Sequence, residues 1–137
     1  MAVFDGERMA RRGPRATDAA GGRNWMLQQI GGICATWRKD LRFERCGIGF
    51  GGPVNFAEQR VMLSTHVGGW RDFDLPGFVL EVAGAPCIMD NDANVGALGE
   101  AAFGAGRGFP PLFHMTLSTG LDGGIRHEGR VWRGADS

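Results

Sequence analysis

At 137 residues the chain is long enough to bury the core of one compact domain and short for a two-domain enzyme. Hydrophobic residues make up 43% and charged residues 22%, and fifteen basic side chains balance fifteen acidic ones. That neutrality gives no basic field for a nucleic-acid or membrane-surface partner, and no uninterrupted apolar stretch approaches membrane-spanning length, so a cytoplasmic protein is expected.

In chain order, Ala2 to Phe4 and Arg8 to Arg11 flank Asp5-Gly6, a hairpin signal. Arg8, Arg11, Arg12 and Arg15 form a small basic cluster, better explained as a solvated strand and loop than as a phosphate patch. A polar, glycine-rich connection from Gly13 to Arg23 leads to Met26, Ile30, Ile33 and Trp37, which recur at helical spacing with Asn24 as the candidate N-cap. Trp25 and Trp37 are expected to pack rather than to bind. Cys46 to Phe50 reads as a buried strand feeding the tight loop Gly51-Gly52-Pro53. Val61 to Leu63 predicts another short strand. After the turn Gly68-Gly69-Trp70, Asp74 is placed to cap a helix through Val82 that stops at Gly84.

Pro86 to Met89 is again strand-like, and Asp90-Asn91-Asp92-Ala93-Asn94 opens an alanine-rich helix ending in Gly104 to Gly108. Leu112 to Leu117 alternates as a strand, Ser118 to Gly124 reads as a loop, and Ile125 to His127 pairs with Arg130 to Trp132 around Glu128-Gly129. Strand and helix alternate, which is an α/β signature. The last residues, Gly134 to Ser137, read as an interruption rather than a natural domain end. Cys34, Cys46 and Cys87 are far apart in sequence, have apolar neighbours and form no CxxC pattern, so free thiols are expected and no metal site.

Two loops hold the chemistry. A strand that runs into Asn91-Asp92 at the mouth of a helix places a carboxylate where free N–H groups and a partial positive charge meet a ligand. Such a carboxylate can accept a proton from a substrate hydroxyl while the neighbouring amide orients a second one. Taken alone, capping of the helix by Asn91, Asp92 or Asn94 accounts for the same residues. In the second loop, Ser118-Thr119-Gly120-Leu121-Asp122-Gly123-Gly124, exposed backbone N–H groups and a Thr hydroxyl suit phosphate oxygens. It is neither a Walker A loop nor a dinucleotide fingerprint, and a plain hairpin or bulge also accounts for it.

The order and spacing of these segments resemble the ROK family of sugar kinases and repressors, of the glucokinase-like kind. GIGFGGPVN is similar to that family's apolar strand into Pro-Gly-Pro-Val-Asp, and STHVGGW to its Ser-Pro-Asn and Gly-Trp segment. MDNDANVGALGEAAFGAG is similar to its Asn-Asp-Ala-Asn helix, and LSTGLDGGIRHEGRVWRG to its Thr-Gly-x-Gly-Gly-Gly hairpin. The resemblance runs from about Val3 onward.

It implies an α/β, actin-like ATPase (ribonuclease H-like) fold. Residues 1–110 would form the N-terminal lobe without its first phosphate-loop strand, and 111–137 the truncated start of the second lobe. It further implies ATP-dependent phosphorylation of a hexose or N-acetylhexosamine hydroxyl, with ATP and Mg²⁺ as cofactors, by a chain expected to be a fragment. Asp92 would be the base, Asn91 a ligand of neighbouring hydroxyls, and Gly52 the residue that lets a loop approach the sugar ring. Thr119 and Gly120 would contact the ATP phosphates, with Gly123 and Gly124 keeping that loop tight, whereas Glu100 reads as structural. Expected partners are a sugar and a nucleotide, with room for a homodimer.

The sequence departs from the family pattern in several places. The Asp-x-Gly-x-Thr phosphate loop, the Gly-Glu-x-Gly-His motif and the cysteine zinc motif are absent. Asp122 stands where glycine is usual, Gly51 replaces a Pro and Asn55 an Asp. A sugar-sensing repressor and a non-catalytic remnant are the alternatives.

Overall fold

The computed structural model describes residues 1–137 except Thr17, Ala19, Thr65, Ser118, Thr119 and 134–137. The elements are β1 (Ala2–Asp5), β2 (Arg8–Arg12), α1 (Gly22–Trp37), β3 (Cys46–Phe50), β4 (Val54–Asn55), β5 (Arg60–Leu63), β6 (Arg71–Phe73), α2 (Leu75–Ala83), β7 (Cys87–Asn91), α3 (Asp92–Phe103), β8 (Leu112–Leu117), β9 (Leu121–His127) and β10 (Arg130–Val131). They form an antiparallel hairpin β1-β2, a parallel pair β3-β7, an antiparallel ribbon β4-β5-β6, and an antiparallel sheet β10-β9-β8.

The core lies where α1 and α2 meet β3, β7 and the ribbon. Cys34, Phe50, Val54, Val61, Trp70, Leu75, Val79, Ala83 and Met89 pack together there, with Val61 and Met89 fully buried. Trp70, placed in a turn by the sequence reading, is a core residue that meets Phe50 and Phe73 edge-on, ring centroids 5.3 and 5.5 Å apart. It lies just before β6, a three-residue strand, and β4 is only two residues long. Neither is long enough to show a periodicity in sequence.

Local chemistry sets the ends of α2. Asp74 accepts a hydrogen bond from Gly77 N at 2.7 Å, Pro76 lies in the first turn, and Gly84 closes the helix in the left-handed region at φ 71°. The start of α1 is set differently. Its N-cap is Gly21 with no side-chain cap, and Asn24 lies inside the first turn, so the expected Asn24 cap is corrected. The carbonyl of Gly68 accepts from Arg23 N at 3.0 Å, and Gly69 O accepts from the Arg23 guanidinium at 2.9 Å. A distant turn thus supplies what a capping side chain would.

The segment expected as a glycine-rich loop is strand from Leu121 onward. Asp122, Gly123 and Gly124 belong to β9, paired with Thr116, Met115 and His114 of β8, not to a loop. A side chain at Gly124 would put its Cβ 2.4 Å from Ala93 O, so glycine there lets α3 lie directly on the strand.

The three thiols are free, Cys34 buried and the other two half-buried. Although distant in sequence, Cys46 and Cys87 are register partners at the start of β3 and β7. Among the described residues no helix is long and apolar enough to cross a membrane.

Candidate functional site

Because β3 and β7 run parallel with Phe50 opposite Asn91, both strands deliver their carboxyl ends to one edge. That edge is where ligands meet open α/β sheets. The Gly51-Gly52-Pro53 loop leaves β3 there, and α3 starts there directly from β7.

Asp92 is the first residue of α3 and is exposed to solvent. Its Oδ1 accepts from Ala93 N at 3.0 Å, and a Cβ at Gly51 would lie 3.5 Å from its Oδ2. A Cβ at Gly49 would lie 3.4 Å from the Asp92 Cα. Glycines on β3 and in its loop thus leave the space in which this carboxylate stands, at a helix terminus that favours negative charge.

Asn91 is the N-cap of α3. Its Oδ1 accepts from Ala93 N at 2.9 Å and Asn94 N at 3.3 Å. Its Nδ2 donates to Gly52 O at 3.3 Å and to Asp122 Oδ2 at 3.1 Å. One amide therefore joins the β3 loop, the mouth of α3 and strand β9. Gly52 has φ 154°, and a Cβ there would lie 3.0 Å from Leu63 O and 3.2 Å from the Phe50 ring. Its glycine is required by packing.

The remaining expected residues divide. Gly120 is exposed in a turn, with no atom within 4 Å of where its Cβ would be. Gly123 is exposed, but a Cβ there would meet the Phe113 ring at 2.8 Å, and Gly124 is buried under α3. These two glycines serve the packing of the hairpin. Thr119 lies outside the described residues. Asp92, Asn91, Gly52 and Asp122 are brought together.

Below them is a network that the sequence reading missed. Asp90, only 8% exposed, accepts from Asn94 Nδ2 at 2.9 Å and Asn91 N at 2.8 Å through Oδ1, and from Arg133 at 2.5 Å through Oδ2. The Arg133 guanidinium stacks on the Phe56 ring at 3.4 Å from its centroid. Asp90 and Asn94, four residues apart across the helix start, carry a faint sequence signal, whereas Arg133 is 43 residues from Asp90 and carries none. Gln59 was missed too. Its side-chain amide pairs with the backbone of Met89, donating to O at 3.1 Å and accepting from N at 2.7 Å. Glu100 turns back to accept from Ala105 N at 3.0 Å, a helix-closing contact that fits its structural reading.

As a receptor for a triphosphate and its cation, the arrangement fits in part. The Gly120 turn is open for backbone approach, but Asp122 brings a negative charge beside it. Among the described residues no group of three or more His, Cys, Asp or Glu side chains could hold a metal ion.

The model of the ROK family matches residues 1–137. A glucokinase from Halalkalibacterium halodurans is 42% identical over 92 residues, which is 66% of this chain and 28% of the relative. A xylose repressor from Bacillus spizizenii is 33% identical over 88 residues, 64% of this chain and 23% of its own. The crystal structure of a ROK family glucokinase from Streptomyces griseus, in complex with glucose and AMPPNP, superposes with a TM-score of 0.84 at 32% identity, over 97% of this chain and 42% of that one. The chain thus spans about a quarter of the length of the curated relatives it matches.

Proposed function

The chain belongs to the ROK family and has its α/β fold, and from that premise we propose that it carries part of the site of an ATP-dependent sugar kinase acting on a hydroxyl of a hexose or N-acetylhexosamine. The observation that carries the reading is the Asp92 carboxylate, exposed at the start of α3 beside the Gly51-Gly52 loop, with Asn91 next to it and β9 of the glycine hairpin within hydrogen-bond reach.

In this reading Asp92 accepts the proton of the attacking hydroxyl, and Asn91 orients a neighbouring one. Gly52 keeps the β3 loop low enough for the sugar ring to lie over it. Thr119 and Gly120 approach the phosphates, and Gly123 and Gly124 keep the hairpin tight. Residues 1–110 belong to the first lobe of an actin-like, ribonuclease H-like fold, and 111–137 open the second. Bound ATP with Mg²⁺ would supply the transferable phosphoryl group and neutralise its charge. Phosphoryl transfer asks the protein chiefly for position and electrostatics, so one carboxylate beside a fixed hydroxyl suffices.

The test is turnover of a panel of hexoses and N-acetylhexosamines, read as ADP release, in the protein that carries this chain and in its Asp92→Asn variant. Loss of a general base is expected to lower kcat by roughly 10²- to 10⁴-fold. Equal turnover by both removes Asp92 from the role. The similarity to a xylose repressor supports a second reading, a sugar sensor. Sugar binding that Asp92→Asn leaves intact, without turnover in either protein, would favour it.

A further inference from the structure

The Asn91 amide has nothing left to offer a ligand. An asparagine side chain carries two N–H donors and an oxygen with two lone pairs. Here the oxygen serves Ala93 N and Asn94 N, and the nitrogen serves Gly52 O and Asp122 Oδ2. The other oxygen of Asp122 accepts from Gly123 N at 2.8 Å, a backbone donor of the same glycine hairpin. One carboxylate therefore covers a donor on the sugar side and another on the hairpin side.

Of the two acceptors on the Asn91 nitrogen, only one can leave cheaply. The Gly52 carbonyl belongs to the main chain of the tight β3 loop, where even a Cβ would lie 3.0 Å from Leu63 O and 3.2 Å from the Phe50 ring. Asp122 is an exposed side chain with two free torsions, on a strand that follows the open Gly120 turn. Water can replace its hydrogen bonds once it swings out.

We infer that Asp122 is an internal occupant of this site and determines its affinity: the carboxylate holds donors that a sugar hydroxyl would use, and substrate binds by displacing it. The inference rests on the sugar-kinase reading above. It also sets an order among ligands. A neutral sugar has only to compete for the Asn91 amide, whereas a nucleotide phosphate meets in addition a like charge. The penalty imposed by Asp122 is therefore larger for the nucleotide.

The experiment titrates glucose, N-acetylmannosamine and AMPPNP with Mg²⁺ into the 137-residue chain and its Asp122→Ala and Asp122→Asn variants. Calorimetry reads affinity, and the ¹⁵N–¹H resonances of the Asn91 side chain read the contact. Asp122→Ala is expected to bind at least one of the two sugars roughly three- to tenfold tighter, and the nucleotide by a larger factor. Its Asn91 amide resonances shift before any ligand is added. Asp122→Asn keeps an acceptor oxygen without the charge, so it stays near the parent for sugar and gains for nucleotide. Sugar affinity unchanged or weakened in Asp122→Ala, or unmoved Asn91 resonances, overturns the inference. If that happens while Asp92→Asn still loses turnover, the kinase reading stands alone. No binding of any probe by any of the three proteins overturns the inference and leaves the kinase reading to the turnover test of Asp92→Asn.

Discussion

Cys87 shows how burial acts on a single group. Loss of solvation, with Cys46 nearby, pushes its thiol from an ordinary 9.0 up to about 11, and burial moves Cys34 and Cys46 in the same direction. Between those values the unfolded chain has released the Cys87 proton and the folded chain has kept it. The unfolded state then binds fewer protons, so stability falls as pH rises through that window. Urea denaturation at pH 8, 9, 10 and 11 is expected to show the fall, and a Cys87→Ala variant a shallower one. At neutral pH the same thiol should be alkylated slowly by iodoacetamide in the folded protein and quickly in urea. Some residue roles could be read directly from the sequence. Asp74 and Gly84 cap α2 as expected, because a cap reaches only three or four positions along the chain. Asn91 and Asp92 were recognisable at a strand-to-helix junction. Arg133 on Asp90, Gln59 on Met89 and Asp122 on Asn91 were not, since each contact spans about thirty residues or more.

Among the elements, the contact of α3 with β9 matters most. Gly124 puts the backbone of the strand against the Ala93 carbonyl, and Asn91 binds the neighbouring Asp122. A methyl group at position 124 would have to displace backbone on both sides, because the obstructing atoms belong to Ala93 and Asn94 rather than to a movable side-chain tip. Gly124→Ala is expected to destabilise the protein by about 1–3 kcal/mol, measured by urea unfolding. It should also weaken protection of the β9 amides in hydrogen exchange more than that of β3 and β7. Gly120→Ala, with open space around it, should change neither. Long strands and helices such as β3, β8 and α1 were visible through their apolar spacing. Strands of two or three residues, β4 and β6, exist only because β5 pairs with both, so no local pattern announces them.

For the whole molecule, the sheet β10-β9-β8 has two unlike faces. One packs on α3; the other presents Phe113, Met115, Leu117, Leu121 and Ile125 to solvent, with Phe113 62% and Leu117 81% exposed. Contiguous apolar surface of this kind binds hydrophobic probes and neighbouring chains. The 137-residue chain is expected to enhance the fluorescence of anilinonaphthalene sulfonate while fully folded. The double variant Phe113→Ser with Leu117→Lys should lower that signal by about half. It should shift stability by no more than about 0.5 kcal/mol per site, as surface changes generally do.

The side-chain amide of Gln59, pressed against the Met89 backbone, has the effect of a border. It offers β7 an oxygen and a nitrogen where another strand would offer a peptide group. The parallel pair is thereby closed on its β7 flank at that position, and among the described residues nothing pairs with β3 on the opposite flank. Among the described residues a further strand would find the free edge of this layer only along β3.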